Sequence, residues 1–212
     1  SCCIAIHPDG SIWHGSTSGI ARYDSTEWMT YGNIEDETKN YIYDINIDKD
    51  GNIWIARLNG ALFFDGQNWY NIQPNIKYTN FHFNNVVIDQ DNIKWFTAPG
   101  IGVFSFIDNN WNLYTVNDGL ISNNLFCATV DNNNNKWFGT SEGASKFNGN
   151  IWENFTYEDG LTEGYVLDIK CAKDNFLWYA TSNGVSCLYE KNETLVQKKS
   201  IMQNSLFFYQ NP

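Results

Sequence analysis

The chain has 212 residues, is 17% aromatic and only 17% charged, and carries a formal net charge of −11. So acidic a chain repels phosphate backbones and anionic lipid, which excludes nucleic acid and membrane surfaces as partners on electrostatic grounds. No apolar run approaches the ~20 residues that cross a bilayer, and the abundance of Asn favours tight turns over long charged helices.

In chain order, the sequence opens at Ser1-Cys2-Cys3-Ile4 in what reads as mid-strand, as expected of a processed or truncated product. Strands are predicted over residues 3–6, 12–15, 20–23 and 27–31, the first two joined by Pro8-Asp9-Gly10. Polar residues 32–40 cross to a second unit, which is the clearest in the chain. There Asp50-Gly51 leads into a strand around Trp54, a turn at Gly60 leads into residues 61–64, and Asp65-Gly66 reverses the chain into a strand carrying Trp69. Asp-Gly flanked by aromatic and β-branched residues is a strong hairpin signal, because Gly takes positive φ at little cost. In the third unit Asp91-Asn92 replaces Asp-Gly, and Asn also visits the left-handed region. Residues 98–102 form a loop one residue longer than its counterparts.

The unit repeats. Trp13, Trp54, Trp95, Trp137 and Trp178 are separated by 41, 41, 42 and 41 residues, and Trp28, Trp69, Trp111 and Trp152 by 41, 42 and 41. A period near 40 with four strand-sized segments per unit is the signature of propeller blades. The sequence therefore predicts an all-β fold: a β-propeller of five four-stranded blades at about 1–31, 41–73, 83–116, 124–156 and 165–199, forming one domain over 1–200. The fifth unit is degenerate at its end, with Glu193 or Thr194 in place of the second tryptophan, and 201–212 remains as a tail. Apolar pairs two apart (Ile4/Ile6, Ile45/Ile47, Val86/Ile88, Ala128/Val130, Ile169/Cys171) give each first strand one buried face. The tryptophans are expected between blades, and closure is expected between blades five and one. The alternative is a five-blade portion of a larger propeller, whose two open faces would drive dimerisation or aggregation.

Candidate sites follow from this geometry. The loops between second and third strands share a face with the crossings, and binding residues concentrate on loops held by a rigid scaffold. Arg57 stands where Thr140 and Thr181 occur in other units and can clamp a carboxylate or sulfate, or pair with a neighbouring acid at the surface. Asn59, Glu142 and Asn183 lie in the same set of loops, and Asp118 and Asp159 lie on the crossings. Cys3, Asp44, Asn85, Cys127 and Asp168 all fall ten residues before a first-series tryptophan. A closed ring gathers them around the channel, where Asp44, Asn85 and Asp168 are either hydrogen-bonded polar groups or oxygen ligands for a divalent cation. Asp48-Lys49-Asp50-Gly51-Asn52 opens like a calcium loop but has Asn59 at the twelfth position, so it reads as a turn. The cysteines (Cys2, Cys3, Cys127, Cys171, Cys187) show no CxxC spacing and are read as buried thiols, with Cys171–Cys187 or Cys2–Cys187 as alternative bridges.

Stacked, the units carry a family pattern. Asn117-Asp118-Gly119-Leu120 followed by Lys136-Trp137-Phe138-Gly139-Thr140-Ser141-Glu142-Gly143 resembles the two-component regulator propeller repeat, as does Glu158-Asp159-Gly160-Leu161 leading to Trp178-Tyr179-Ala180-Thr181-Ser182-Asn183-Gly184-Val185. The resemblance covers about residues 1–199. It implies an extracytoplasmic propeller of the kind found in Bacteroidetes hybrid histidine kinases and secreted proteins. Ser205-Leu206-Phe207-Phe208-Tyr209-Gln210-Asn211-Pro212 resembles the opening of a type IX secretion sorting domain, with Gln210 departing from its "Y-P-N-P" strand. Lys94-Trp95-Phe96-Thr97-Ala98-Pro99-Gly100 is similar to repeats of the streptogramin lyase family, which uses histidines, an acid and a divalent metal on a seven-bladed ring. The histidines here (His7, His14, His82) fall at unrelated blade positions. The expectation is a non-catalytic binding module, secreted or at the cell surface or periplasm, whose ligand is a carbohydrate or a protein. The rival is a propeller lyase or other metal-dependent enzyme at the loop face. No resident cofactor is expected beyond that divalent cation.

Overall fold

A computed structural model describes residues 3–31, 41–58, 60–78 and 81–188, with the backbone of 190–191 and 194–195. Blade one is β1 (Cys3–Ile6), β2 (Ile12–Ser16), β3 (Gly19–Tyr23) and β4 (Trp28–Tyr31). Blade two is β5 (Ile42–Ile47), β6 (Ile53–Arg57), β7 (Gly60–Phe64) and β8 (Trp69–Ile72). Blade three is β9 (Asn85–Ile88), β10 (Lys94–Ala98), β11 (Gly102–Ile107) and β12 (Asn110–Tyr114). Blade four is β13 (Leu125–Val130), β14 (Lys136–Thr140), β15 (Gly143–Phe147) and β16 (Trp152–Phe155). Blade five is β17 (Val166–Cys171), β18 (Leu177–Thr181) and β19 (Gly184–Leu188), followed by a separate two-stranded ribbon, β20 (Glu190–Lys191) and β21 (Thr194–Leu195). Every sheet is an antiparallel meander in sequence order. The fifth blade is thus three-stranded among the described residues, where four strands were expected.

Local chemistry sets the turns. Asp48 Oδ1 accepts the amides of Asp50 and Asn52 while Gly51 takes φ +83°. At the same place Asn92, Asn134 and Asn175 take φ +64°, the left-handed conformation that Asn tolerates. The crossings after β12 and β16 each contain a single 3-10 turn, Val116–Asp118 and Tyr157–Asp159. Both are closed by a capping box from Thr115 or Thr156 and ended by a left-handed Gly119 or Gly160.

Four apolar cores lie between consecutive blades. The first tryptophan of a blade faces forward and the residue after it faces back: Trp95 meets Phe138 and Phe147 of blade four, and Phe96 meets Trp54 of blade two. Two of the buried indoles, Trp54 and Trp95, are tied down twice and a third, Trp137, once from its own Asp. Trp54, Trp95 and Trp137 donate Nε1–H to Asp48, Asp89 and Asp131 at 3.0, 2.8 and 2.8 Å. Lys94 and Lys136 then reach back from the following blade over the Trp54 and Trp95 rings, 3.4 Å from Asp48 and 3.7 Å from Asp89.

The innermost strands β1, β5, β9, β13 and β17 pack in succession, and no packing of that extent joins β17 back to β1. The expected closure of blade five on blade one is not built from the described residues. Ile4, equivalent to the buried Ile45, Val86, Ala128 and Ile169, is 67% exposed, and Ile6 and, across the same sheet on β4, Trp28 are also exposed. Trp178 is 49% exposed, whereas its four counterparts are buried, and Val185 is laid open with it. The alternation in β1 and the tryptophan of β18 match expectation in position. They differ in burial because, among the described residues, no neighbouring sheet covers those two faces.

Candidate functional site

On the face that carries the loops between second and third strands, the chain enters each innermost strand through two residues, 13 and 11 positions before the first tryptophan. These are Tyr41 and Tyr43, His82 and Asn84, Asn124 and Phe126, and Tyr165 and Leu167. The neighbouring loops hold their backbone: the Ser141 amide donates to the Asn124 carbonyl and the Ser182 amide to the Tyr165 carbonyl, both at 3.0 Å. The His82 segment forms an antiparallel bridge with Leu58.

The side chains join across blades. The Tyr43 ring stacks on His82 with centroids 4.7 Å apart, Tyr41 leans on Tyr43 at 5.7 Å, and Phe126 meets Tyr165 at 5.7 Å. Asn84 links the two groups. Its Nδ2 donates to the Leu125 and Phe126 carbonyls at 3.3 and 3.1 Å, and its Oδ1 accepts from Thr97 Oγ1 at 2.6 Å. Tyr41, Phe126 and Tyr165 are 48%, 38% and 53% exposed. Burial holds the His82 imidazole below its ordinary pKa, and burial followed by the neighbouring Tyr41 raises the Tyr43 phenol, so both stay neutral near pH 7. The result is an uncharged aromatic band with amide and hydroxyl edges, suited to a ligand that has flat apolar faces and hydroxyl groups.

The residues singled out from sequence fall elsewhere. Arg57 is buried at the end of β6 and donates to Asn71 Oδ1 across its own sheet. It is not the solvent-facing cation that its loop position suggested, because the strand runs one residue further than the loop reading allowed. Asn59 lies outside the described residues. Glu142 and Asn183 are exposed at two-residue turns, their amides donating to Thr140 Oγ1 and Thr181 Oγ1. Asp118 and Asp159 accept the amide and hydroxyl of Thr115 and Thr156, which uses one oxygen of each in the turn itself.

On the innermost strands, Asp44 accepts Asn85 Nδ2 at 2.6 Å and the Val86 amide at 3.0 Å, and Asn85 Oδ1 accepts the Ala128 amide at 2.9 Å. Each side chain thereby clips the inner strand of the next blade. Burial pushes the Asp44 carboxyl up to about 6, and the charge of Asp168 adds to the rise while Lys170 opposes it. Asp168 accepts the Ile169 amide and lies 3.5 Å from Lys170. Among the described residues no three His, Cys, Asp or Glu side chains are grouped to hold a metal ion. His7 sits at a turn on the opposite face, His14 in β2, and His82 in the band. Cys3, Cys127, Cys171 and Cys187 are thiols, so no Cys171–Cys187 bridge forms, and Cys2 lies outside the described residues. Burial raises the Cys127 thiol to about 12.

Sheet order, blade period and inter-blade cores define an all-β propeller. The family model described as Two component regulator propeller matches residues 36–56. No curated protein sequence matches the chain. Among solved structures the fold is similar to the extracellular domains of two hybrid two-component systems of B. thetaiotaomicron, both at TM-score 0.75. Identity to them is 18% and 21%, and the alignments cover 89% and 87% of this chain and 27% of each of those. It is also similar to virginiamycin B lyase from Staphylococcus aureus, with TM-score 0.74 and 13% identity, over 93% of this chain and 69% of that one. The chain thus spans about a quarter of the length of the extracellular domains it matches.

Proposed function

We propose that this chain is an extracytoplasmic propeller module, secreted or exposed at the cell surface or periplasm, that binds a ligand without transforming it. The ligand site is the aromatic band on the loop face, and the ligand class is a neutral glycan. The observation that carries this reading is the run Tyr41, Tyr43, His82, Asn84, Phe126 and Tyr165: three exposed rings and two half-buried ones, bridged by one amide, with no charge among them. Sugar rings offer the complementary surface, apolar C–H faces for stacking and hydroxyls for amide edges. The likeness to extracellular sensor domains supports the location, and the same repeat supports a single module over 1–200. Glu142, Asn183, Asp118 and Asp159 then serve as outer contacts on the same face. A lyase reading rests on the fold shared with virginiamycin B lyase; a divalent cation at Asp44, Asn85 and Asp168 belongs to that alternative.

The test is calorimetric titration with neutral oligosaccharides, xylan- and glucan-derived, on the full chain and on Tyr165→Ala and Phe126→Ala. The expected result is saturable binding weakened about tenfold or more in each variant, since one aromatic contact contributes on the order of 1–2 kcal/mol. Binding that survives both substitutions, or binding of peptides with no response to any glycan, overturns the assignment.

A further inference from the structure

Three copies of the repeat satisfy a buried indole in the same way, and the first copy does not. In blades two, three and four the tryptophan Nε1–H is accepted by an Asp six residues earlier. Blade one has His7 at that position. His7 is engaged elsewhere, with Nε2 2.9 Å from the Gly51 carbonyl and Nδ1 2.7 Å from Asp9 Oδ1. Trp13 is nevertheless only 3% exposed, and its Nε1 has no acceptor among the described residues.

The indole borders a cavity of about 150 Å³ between blades one and two, lined by His7, Asp9, Trp13, Arg22, Ile53 and Phe64. The corresponding cavity between blades three and four is lined by Asp89, Trp95 and Lys136. In blade one the anion of that set is missing, Ile53 stands in place of the lysine, and the cation comes from Arg22. The Arg22 guanidinium carbon lies 5.8 Å from the Trp13 ring centroid, and one terminal nitrogen donates to Asp9 Oδ2 at 2.9 Å. Arg22 Nε is buried without an acceptor among the described residues. Two unpartnered donors from one blade therefore line one cavity whose walls include two aromatic rings.

We propose that this cavity binds a small carboxylate, whose oxygens occupy the place that the Asp48, Asp89 and Asp131 side chains fill in the next three blades. One oxygen accepts Trp13 Nε1–H and the other Arg22 Nε–H, the second a charge-assisted hydrogen bond. Asp9 offsets the charge of Arg22, so selectivity comes from hydrogen-bond geometry rather than from net field. The site lies on the face opposite the aromatic band and is independent of it.

The probe is sodium acetate, followed through the indole N–H resonances of the ¹⁵N-labelled full chain, with the Trp13 signal identified by its loss in Trp13→Phe. Acetate is expected to shift the Trp13 resonance saturably while sodium chloride at equal ionic strength does not. Arg22→Gln is expected to weaken the apparent affinity about tenfold, the usual effect of deleting one charge-assisted hydrogen bond. His7→Asp restores the carboxylate of the other blades and is expected to abolish the acetate response in a folded protein, which covers the case in which Arg22→Gln does not fold. An unmoved Trp13 signal, meaning that water alone satisfies the indole, overturns the proposal. So does an equal shift with chloride, an affinity indifferent to Arg22, or a response that persists in His7→Asp.

Discussion

Replacing Asp89 with Asn isolates the tie that repeats between blades. The Asp89 side chain is buried; Oδ1 accepts the amides of Asp91 and Ile93 at 3.0 and 2.9 Å, and Oδ2 accepts Trp95 Nε1 at 2.8 Å and faces Lys136 Nζ at 3.7 Å. Asn keeps an oxygen for the two amides and turns an NH₂ group toward the indole N–H and the ammonium. Losing a buried hydrogen bond to a charged acceptor costs about 1.5–3 kcal/mol, and stranding one partner of a buried ion pair costs about 3–5 kcal/mol. The two losses overlap, and Lys136 keeps the Asn134 carbonyl at 3.0 Å and the Trp95 ring face. The expected total is therefore about 3–4 kcal/mol. Asp131→Asn breaks the same indole bond to Trp137, but Leu177 occupies the lysine position in blade five, so its cost should be about 1.5–3 kcal/mol. Urea unfolding followed by tryptophan fluorescence, with an unchanged m-value, measures both. A loss under about 1 kcal/mol for Asp89→Asn, or a larger loss for Asp131→Asn, refutes the reasoning.

Asp44 makes stability depend on pH. Its folded pKa of about 6 lies above the ordinary 3.8, so the folded state holds the proton more tightly. The contribution is complete below pH 4 and is lost as pH rises through about 6, roughly 3 kcal/mol for the whole shift. Asp44→Asn should flatten that part of the urea midpoint profile between pH 4 and 7; an identical slope in the variant contradicts the assignment. Gly139→Ala places a Cβ 2.6 Å from the Val166 carbonyl and against Cys127 Sγ, and should cost about 1–3 kcal/mol in the same assay; a neutral result means that blades four and five move apart easily. Trp137→Ala should cost about 3–5 kcal/mol and Trp178→Ala well under half of that, because only the former is buried. The open faces should drive self-association, so Trp178→Ser should shift the protein toward monomer in sedimentation; equal costs for the two alanine variants, or association indifferent to Trp178, refute the exposed-face reading.

The period of the tryptophans made the blades legible, and Asn92 in place of Gly51 was read correctly because the left-handed conformation admits both. Burial at the two ends was not legible: Ile4 and Trp178 carry the same pattern as Ile45 and Trp137, and only the packing of neighbouring sheets separates them. Arg57 misled because a strand end and a loop start look alike in sequence, and one residue of extra pairing turns the side chain inward. The aromatic band was missed because its members sit at the entries to the innermost strands, Tyr43 and Phe126 within β5 and β13 themselves, where the two-residue alternation singles out the buried side chains. Aligning the units on the first tryptophan and inspecting offsets of 13 and 11 residues would have placed Tyr41, His82, Phe126 and Tyr165 together.

A repeat tests each of its own positions several times, which separates scaffold from ligand chemistry without any other sequence. Where the units agree, inter-blade physics explains the residue: an indole needs an acceptor, so Asp stands six residues before Trp54, Trp95 and Trp137. Where they disagree and the disagreement is satisfied internally, as when Leu177 replaces the lysine and packs in the apolar core between blades four and five, nothing further is implied. His7 is a different kind of departure, because it removes an acceptor while Trp13 stays buried, leaving a donor that a carboxylate can answer. The band is a third kind: offsets of 13 and 11 carry Tyr, His, Asn, Phe and Leu across the blades, yet the aromatics meet one another across blade boundaries. Sheet packing alone does not require exposed rings there. The two departures lie on opposite faces, so substitutions at Tyr165 and at Arg22 should act independently, each changing one ligand's affinity and leaving the other's unaltered.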